Sequence, residues 1–227
     1  MSVSLDDLEF VVLTAAHDHH ISTFKCKNSE LKSFLVEDAY KNQLDKISVT
    51  RLVFFHGRLV GYFTLVTDVI KKNELADADG EPGYKYQTYS ALKIARLATH
   101  EEFERQGIGR FMLMKIFSIW IQFSRYIGCR IITVDAKPDA VGFYVNFSFH
   151  EAIIDPKKLK GRDSIPLYID IHKELERIGK NVPLSEYDEI HSLNNEEKEL
   201  LEESRRELHT GKTRSLDEIS RNRTLSL

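Results

Sequence analysis

The sequence predicts an α/β protein of the α+β kind, with one central sheet flanked by helices. Three observations carry that expectation. Two β-branched and aromatic runs, residues 48–55 and 59–66, flank His56-Gly57-Arg58, which is the pattern of a hairpin. A long apolar stretch, residues 108–127, lies between strand-like runs at 91–99 and 129–134 and reads as a helix. Residues 165–171 alternate apolar and polar and supply a last strand.

The remaining elements follow in order. Residues 10–13 form a short first strand. Residues 15–24 are polar and histidine-rich and read as a loop. Asn28 offers an N-cap before Leu31, Phe34, Leu35 and Tyr40, whose spacing predicts a helix over 29–43. Asp, Gly and Pro mark 76–84 as an exposed loop. Gly128 is placed to end the long helix. Residues 129–134 are almost all apolar, as in a strand covered on both faces. A short helix is expected over 139–147. The 227 residues thus divide into a folded domain over 1–175 and a helical appendage over 176–227. That appendage is rich in Glu, Lys, Arg and Ser, and its few leucines cannot build a core of their own. There are no internal repeats.

Composition narrows the function classes. Hydrophobic residues make up 42% and charged residues 30% of the chain, an ordinary globular balance. The formal net charge of −3 gives no global signal for wrapping nucleic acid. Cys26 and Cys129 are the only cysteines, too few for a disulfide framework or a four-cysteine zinc site. Their isolation, the acidic N-terminus and the lack of a membrane-length apolar run predict a reduced, cytoplasmic protein. His17, His19 and His20 lack a partner cluster elsewhere in the sequence, so no metal is expected.

The strongest chemical signal is Leu97-Ala98-Thr99, then Arg105-Gln106-Gly107-Ile108-Gly109-Arg110, then the apolar helix. Glycines let successive backbone N–H groups converge, and the following helix adds the positive end of its dipole. A pyrophosphate fits such a turn, and Arg105 and Arg110 can add charge-assisted hydrogen bonds. A P-loop is disfavoured because Gly-Lys-Ser/Thr is absent; a dinucleotide fold would need a third glycine.

These residues resemble the acetyl-CoA segment of the Gcn5-related N-acetyltransferases. Val134-Asp135-Ala136-Lys137-Pro138, and Gly142-Phe143-Tyr144 through Phe149-His150-Glu151, are similar to that family's fifth strand and the helix after it. Phe24-Lys25-Cys26 and Val60-Gly61-Tyr62-Phe63-Thr64-Leu65 match a subgroup that includes toxins acetylating the amino group of aminoacyl-tRNA. The resemblance covers residues 8–172. It implies a mixed, mostly antiparallel sheet splayed at the acetyl-CoA strand, with acetyl-CoA as co-substrate. It also implies that Leu97 and Thr99 present backbone groups to the pantetheine, and that Tyr144 is the general acid. Two departures stand out. Glu104 occupies a position where the family has Gln or Arg, so its carboxylate should point outward. Ser148 occupies a usual glycine, so local strain is expected there.

On this reading the first expectation is an N-acetyltransferase acting on a primary amine of a small molecule, peptide or protein. A toxin acetylating aminoacyl-tRNA is the alternative, placed second because the chain is net acidic. An acyl-CoA-binding regulatory module working through the C-terminal appendage is the third. The aromatic and aliphatic face Phe111, Leu113, Ile116, Phe117, Trp120 and Phe123 reads as core or as a homodimer face. Asp135 and Glu104 are surface acids or water-orienting bases. The run Lys157, Lys158, Lys160 and Arg162 is a solvated loop or a phosphate contact.

Overall fold

A computed structural model describes residues 7–177. One seven-stranded sheet organises them, in the order β1-β2-β3-β4-β5-β7-β6. Its strands are β1 (Leu8–Val12), β2 (Val49–Phe55), β3 (Arg58–Lys71), β4 (Thr88–Thr99), β5 (Ile131–Ala136), β6 (His150–Glu151) and β7 (Ile165–Asp170). Every neighbouring pair is antiparallel except β4 and β5. The chain between those two is long enough for the crossover that a parallel pair requires, and it contains α4 (Ile108–Ser124).

Strand alternation sends neighbouring residues to opposite faces. Val53 and Phe63 join α4 in one buried cluster, whereas Leu52 and Tyr62 join Ile21, Phe24 and Leu35 in another. The second cluster is roofed by α1 (Asp18–Ser22), α2 (Ser29–Ser33) and α3 (Ala39–Leu44). The apolar surface of α4 resolves in favour of core: Leu113, Ile116 and Trp120 are buried, and Phe111, Phe117 and Phe123 pack against them. After β5 come α5 (Val141–Val145), α6 (Pro156–Leu159) and α7 (Ile171–Arg177).

Several local expectations are corrected. Residues 15–24 include α1, because Ile21 and Phe24, three apart, are buried at 4% and 1% exposure and anchor a turn that looks polar in sequence. The helix expected over 29–43 is α2, a π-type turn at Phe34–Asp38, and α3. Asn28 caps it as expected, accepting from Glu30 N at 2.9 Å and Leu31 N at 3.2 Å. β3 continues to Lys71, because Thr67–Lys71 pairs with Thr88–Leu92. α4 ends at Ser124, three residues short of the expected limit.

The connection from β3 to β4 is clamped at the end of the sheet where β4 and β5 begin. Arg130 donates to Asp170 at 2.9 Å, to Glu81 at 2.9 Å and to the Gly80 carbonyl at 3.0 Å. Tyr168 accepts from Ala76 N at 2.7 Å and donates to Asp79 at 2.8 Å. The appendage expected over 176–227 lies outside the described residues beyond Arg177. No helix among the described residues is long and apolar enough to cross a membrane.

Candidate active site

The site begins where β4 and β5 part. They pair only from Ala91–Ile131 to Ile94–Val134. Beyond that step β4 stays with β3, through Arg96–Thr64 to Thr99–Gly61, and β5 stays with β7, through Asp135–Pro166 and Ala136–Ile165. Ala95 is the extra residue of a bulge, since Thr64 opposes Arg96 and Leu65 opposes Ile94. The result is an opening inside the sheet with an unpaired strand edge on either side.

Backbone direction follows from one hydrogen bond. His100 N–H donates to the Val60 carbonyl at 2.8 Å. Peptide groups alternate sides along a strand, so those of Leu97 and Thr99 face away from β3, toward the opening. Ala98, between them, is buried at 5% exposure against the α1–α3 side. An extended chain carrying amides can pair with such an edge as an added strand would.

The glycine turn closes one end of the opening. Gly107 is the N-cap of α4 with φ of 87°, and Arg105 also has positive φ, 60°. Gly109 lies in the first helical turn. A Cβ there would come within 3.3 Å of the Phe143 ring, so its lack of a side chain lets α5 approach α4. Ile108 is buried and pins the turn. Arg105, Gln106 and Arg110 are exposed, and Gln106 donates to the Glu102 carbonyl at 3.0 Å. The first turn of α4 holds no acidic residue. Free N–H groups at a helix start, with two exposed arginines, suit a diphosphate. Glu104 is ion-paired with Lys27, which draws its carboxylate toward the loop before α2.

Tyr144 is 5% exposed, and its ring meets Phe143 at 5.1 Å and Phe149 at 5.4 Å. Its hydroxyl has no hydrogen-bond partner among the described residues. Burial pushes its phenol well above the usual range, so it stays protonated through neutral pH. α5 ends in a left-handed turn: Ser148 has φ of 62°, and Phe149 N–H reaches back to the Tyr144 carbonyl at 3.2 Å. This is the strained position expected of a serine in a glycine's place; Ser148 Oγ donates to Glu174 at 2.8 Å.

The two candidate bases are both in ion pairs. Asp135 pairs with Lys93 at 2.7 Å, and Glu104 with Lys27. Sequence reasoning missed the opposite rim of the opening. There Lys137, just after β5, pairs with Glu30 of α2 at 3.2 Å and with Asp163 in the loop before β7. Such pairs link residues far apart in the chain and leave no local signal. Burial raises the Cys26 thiol above its ordinary value, so it is a poor nucleophile at neutral pH. His17 Nδ1 accepts from Thr14 N at 3.0 Å, and the described residues hold no group of three His, Cys, Asp or Glu arranged for a metal.

A mixed sheet opened between its parallel strands, with a glycine turn leading into the helix between them, is the Gcn5-related N-acetyltransferase fold. No family model matches the chain. It is 27% identical over 141 residues to a tRNA-acetylating toxin of Mycobacterium tuberculosis (strain ATCC 25618 / H37Rv), spanning 61% of this chain and 83% of that relative. AtaT complexed with acetyl-methionyl-tRNAfMet aligns with a TM-score of 0.66 at 19% identity, over 76% of this chain and 99% of AtaT. A mutant AtaT toxin bound to the C-terminus of the antitoxin AtaR and acetyl-CoA aligns at 0.59 and 20% identity, over 78% and 100%. Within its fold class, then, the chain is similar to acetyltransferase toxins.

Proposed function

We propose that this protein is an acetyl-CoA-dependent N-acetyltransferase whose acceptor is the amino group of an aminoacyl-tRNA. The observation that carries the chemistry is the opening between β4 and β5, with the peptide groups of Leu97 and Thr99 facing it and the turn at Gly107 closing one end. The similarity to a tRNA-acetylating toxin favours the tRNA acceptor over an unspecified amine, reversing the order expected from sequence. The acidity that argued against RNA is also local. Residues 178–227 carry 8 Lys and Arg against 11 Asp and Glu, a balance of −3, which is the net charge of the whole chain. Residues 1–177 carry 24 of each and are neutral.

Acetyl-CoA bound in the opening supplies a thioester from which the acetyl group passes to the amine. The chain's residues then have separable tasks. The Gly107–Arg110 turn and Arg105 hold the diphosphate. The strand edge at Leu97 and Thr99 orients the pantetheine, and an N–H beside the thioester carbonyl stabilises negative charge developing on its oxygen. The amine forms the new N–C bond as the C–S bond breaks. Tyr144 gives its proton to the departing sulfur, and the amine's surplus proton leaves to solvent.

The test is to incubate the purified full chain with labelled acetyl-CoA and, separately, charged tRNAs, peptides and polyamines. Label that appears on charged tRNA and is released with the amino acid on deacylation supports the proposal. Label confined to peptides or polyamines removes the tRNA acceptor. Absence of acetyl-CoA binding by calorimetry removes the enzyme reading altogether.

A further inference from the structure

A second cavity, of about 300 Å³, lies beyond the cofactor opening and is unused by the chemistry above. Its polar lining is His20, Thr23, Lys25, Arg58, His100 and Glu102. It sits at the end of the sheet where β2 turns into β3 and β4 finishes, on the α1 side.

The cavity has fixed donors. His100 is 8% exposed, its ring held between Phe24 at 5.5 Å and Phe103 at 5.9 Å. Its Nδ1 accepts the Glu102 N–H at 3.3 Å, which places the ring proton on Nε2. That Nε2–H has no acceptor among the described residues. The Arg58 guanidinium lies over the Phe103 ring at 4.8 Å and gives Nη2 to Glu102 at 2.5 Å, and its other N–H groups have no partner among the described residues. Lys25 is exposed and has no ion pair among the described residues. His20 rests edge-on against Phe54 at 5.1 Å. Arg58 and Lys25 are two cations facing the one carboxylate of the lining, Glu102, whose ionised form both favour. A ring N–H donor on a buried histidine, a half-committed guanidinium and an ammonium without an ion pair among the described residues, all around one cavity, suit a tetrahedral oxyanion.

Its location identifies the source of that anion. The Lys25 carbonyl accepts Glu101 N–H at 3.0 Å, which ties the segment after α1 to the end of β4. That segment runs from this cavity to a groove of about 400 Å³ lined by Lys27, Asn28, Ser29, Glu30, Lys137, Pro138 and Asp139, at the rim of the β4–β5 opening. Lys25, then Lys27 with its partner Glu104, then Lys137 with Glu30 and Asp163 follow one path on the α1–α3 side of the sheet, and a phosphate on it competes with those carboxylates for the last two lysines. The helix α4, which begins at the diphosphate turn, covers the other face. A polyanionic acceptor can thus lie along this path without displacing the cofactor.

We infer that this cavity binds a backbone phosphate of the acceptor RNA, holding the strand while its aminoacyl end enters the opening. The inference rests on the tRNA acceptor proposed above. Contacts of this kind set position and affinity and do not read sequence.

The test measures binding of uncharged tRNA to the full chain by fluorescence anisotropy across a salt series, together with KM for charged tRNA and for acetyl-CoA. Lys25→Ala combined with Arg58→Gln alters two exposed side chains. It should weaken RNA binding about tenfold and flatten the salt dependence by about one to two phosphate contacts. His100→Phe keeps the aromatic packing and deletes the Nε2 donor; it should weaken binding about fivefold. KM for acetyl-CoA should be unchanged in both. Unchanged RNA affinity and salt slope in folded variants would overturn the inference while leaving the acceptor assignment intact. A raised KM for acetyl-CoA that is absent with dephospho-acetyl-CoA would overturn it in another way, giving the cavity to the cofactor's own phosphate. If the unaltered chain neither binds nor acetylates tRNA, the acceptor proposal falls and takes this inference with it.

Discussion

Gly107→Ala isolates the backbone geometry on which cofactor binding depends. Gly107 has φ of 87° and ψ of −4° at the N-cap of α4. A Cβ there would meet only Phe111, at 3.6 Å, which is ordinary contact. Crowding therefore contributes little, and the cost is the left-handed conformation itself, about 1–2 kcal/mol for an alanine. The folded chain can release that strain by letting the turn rotate, which turns N–H groups away from the diphosphate. Binding must then restore the strained turn, so acetyl-CoA affinity should fall by up to the same 1–2 kcal/mol, about five- to thirtyfold. Asparagine tolerates this region far better, and Gly107→Asn should stay within about threefold of the parent. Titration calorimetry with acetyl-CoA, alongside melting temperature, reads both effects. If Gly107→Ala binds acetyl-CoA as well as the parent, or if asparagine is no better than alanine, the turn is not the diphosphate cradle.

Three further outcomes are expected. Tyr144→Phe should lower kcat about 10²–10⁴-fold with little change in acetyl-CoA affinity, since it removes a proton donor and leaves the ring packing intact; equal turnover would show Tyr144 to be packing alone. Burial raises the phenols of Tyr62, Tyr144 and Tyr168 above the usual value of about 10. Their unfolded counterparts ionise first as pH rises, so this stabilisation is complete below pH ~10 and is lost above it. Melting temperature followed by circular dichroism should fall above that pH, and a domain equally stable at pH 8 and 11 would contradict the burial argument. Arg130→Ala strands Asp170, which is 3% exposed, and frees the β3–β4 connection. The Arg130 side chain is itself largely buried, so a loss of about 3 kcal/mol is expected, with a melting temperature lower by roughly 10 °C. Acetyl-CoA affinity below the transition should be unchanged, because the clamp lies at the end of the strands away from the opening.

The parts of this site that could be read from sequence are those made by neighbouring residues. The turn at Arg105–Arg110 is legible because its strand, its glycines and its helix follow one another within about one motif's length. The Asn28 cap is legible for the same reason. The splay itself is not: nothing in residues 95–99 or 135–136 announces that the strands stop pairing at Ile94 and Val134. Only the family resemblance implies it. The same resemblance supplied Tyr144, since a buried tyrosine on a short helix has no distinguishing local pattern. α1 is not legible because its one buried residue, Ile21, and Phe24 just beyond it stand among histidines, and the end of β3 is not because Asp68 interrupts its apolar run.

The acceptor side shows why summed charge misleads. A net charge of −3 over the whole chain argued against RNA, yet that excess belongs to residues 178–227. What a polyanion would meet is local: Lys25, Lys27 with its partner Glu104, and, more than a hundred residues later, Lys137 with Glu30 and Asp163, brought to one rim by the Glu101–Lys25 backbone bond and the Lys137–Glu30 pair. The three clustered histidines make no metal group with other residues among those described, while the isolated His100, itself buried, lines an open cavity with one ring N–H that has no acceptor among the described residues. Electrostatic recognition acts over about 8 Å at physiological salt, so the charges that matter are those the fold gathers within that radius. Deleting residues 178–227 removes the whole net charge at a stroke. If local charge governs RNA binding, that deletion should change tRNA affinity less than Lys25→Ala with Arg58→Gln does, and the reverse order would show that the sum was the better guide.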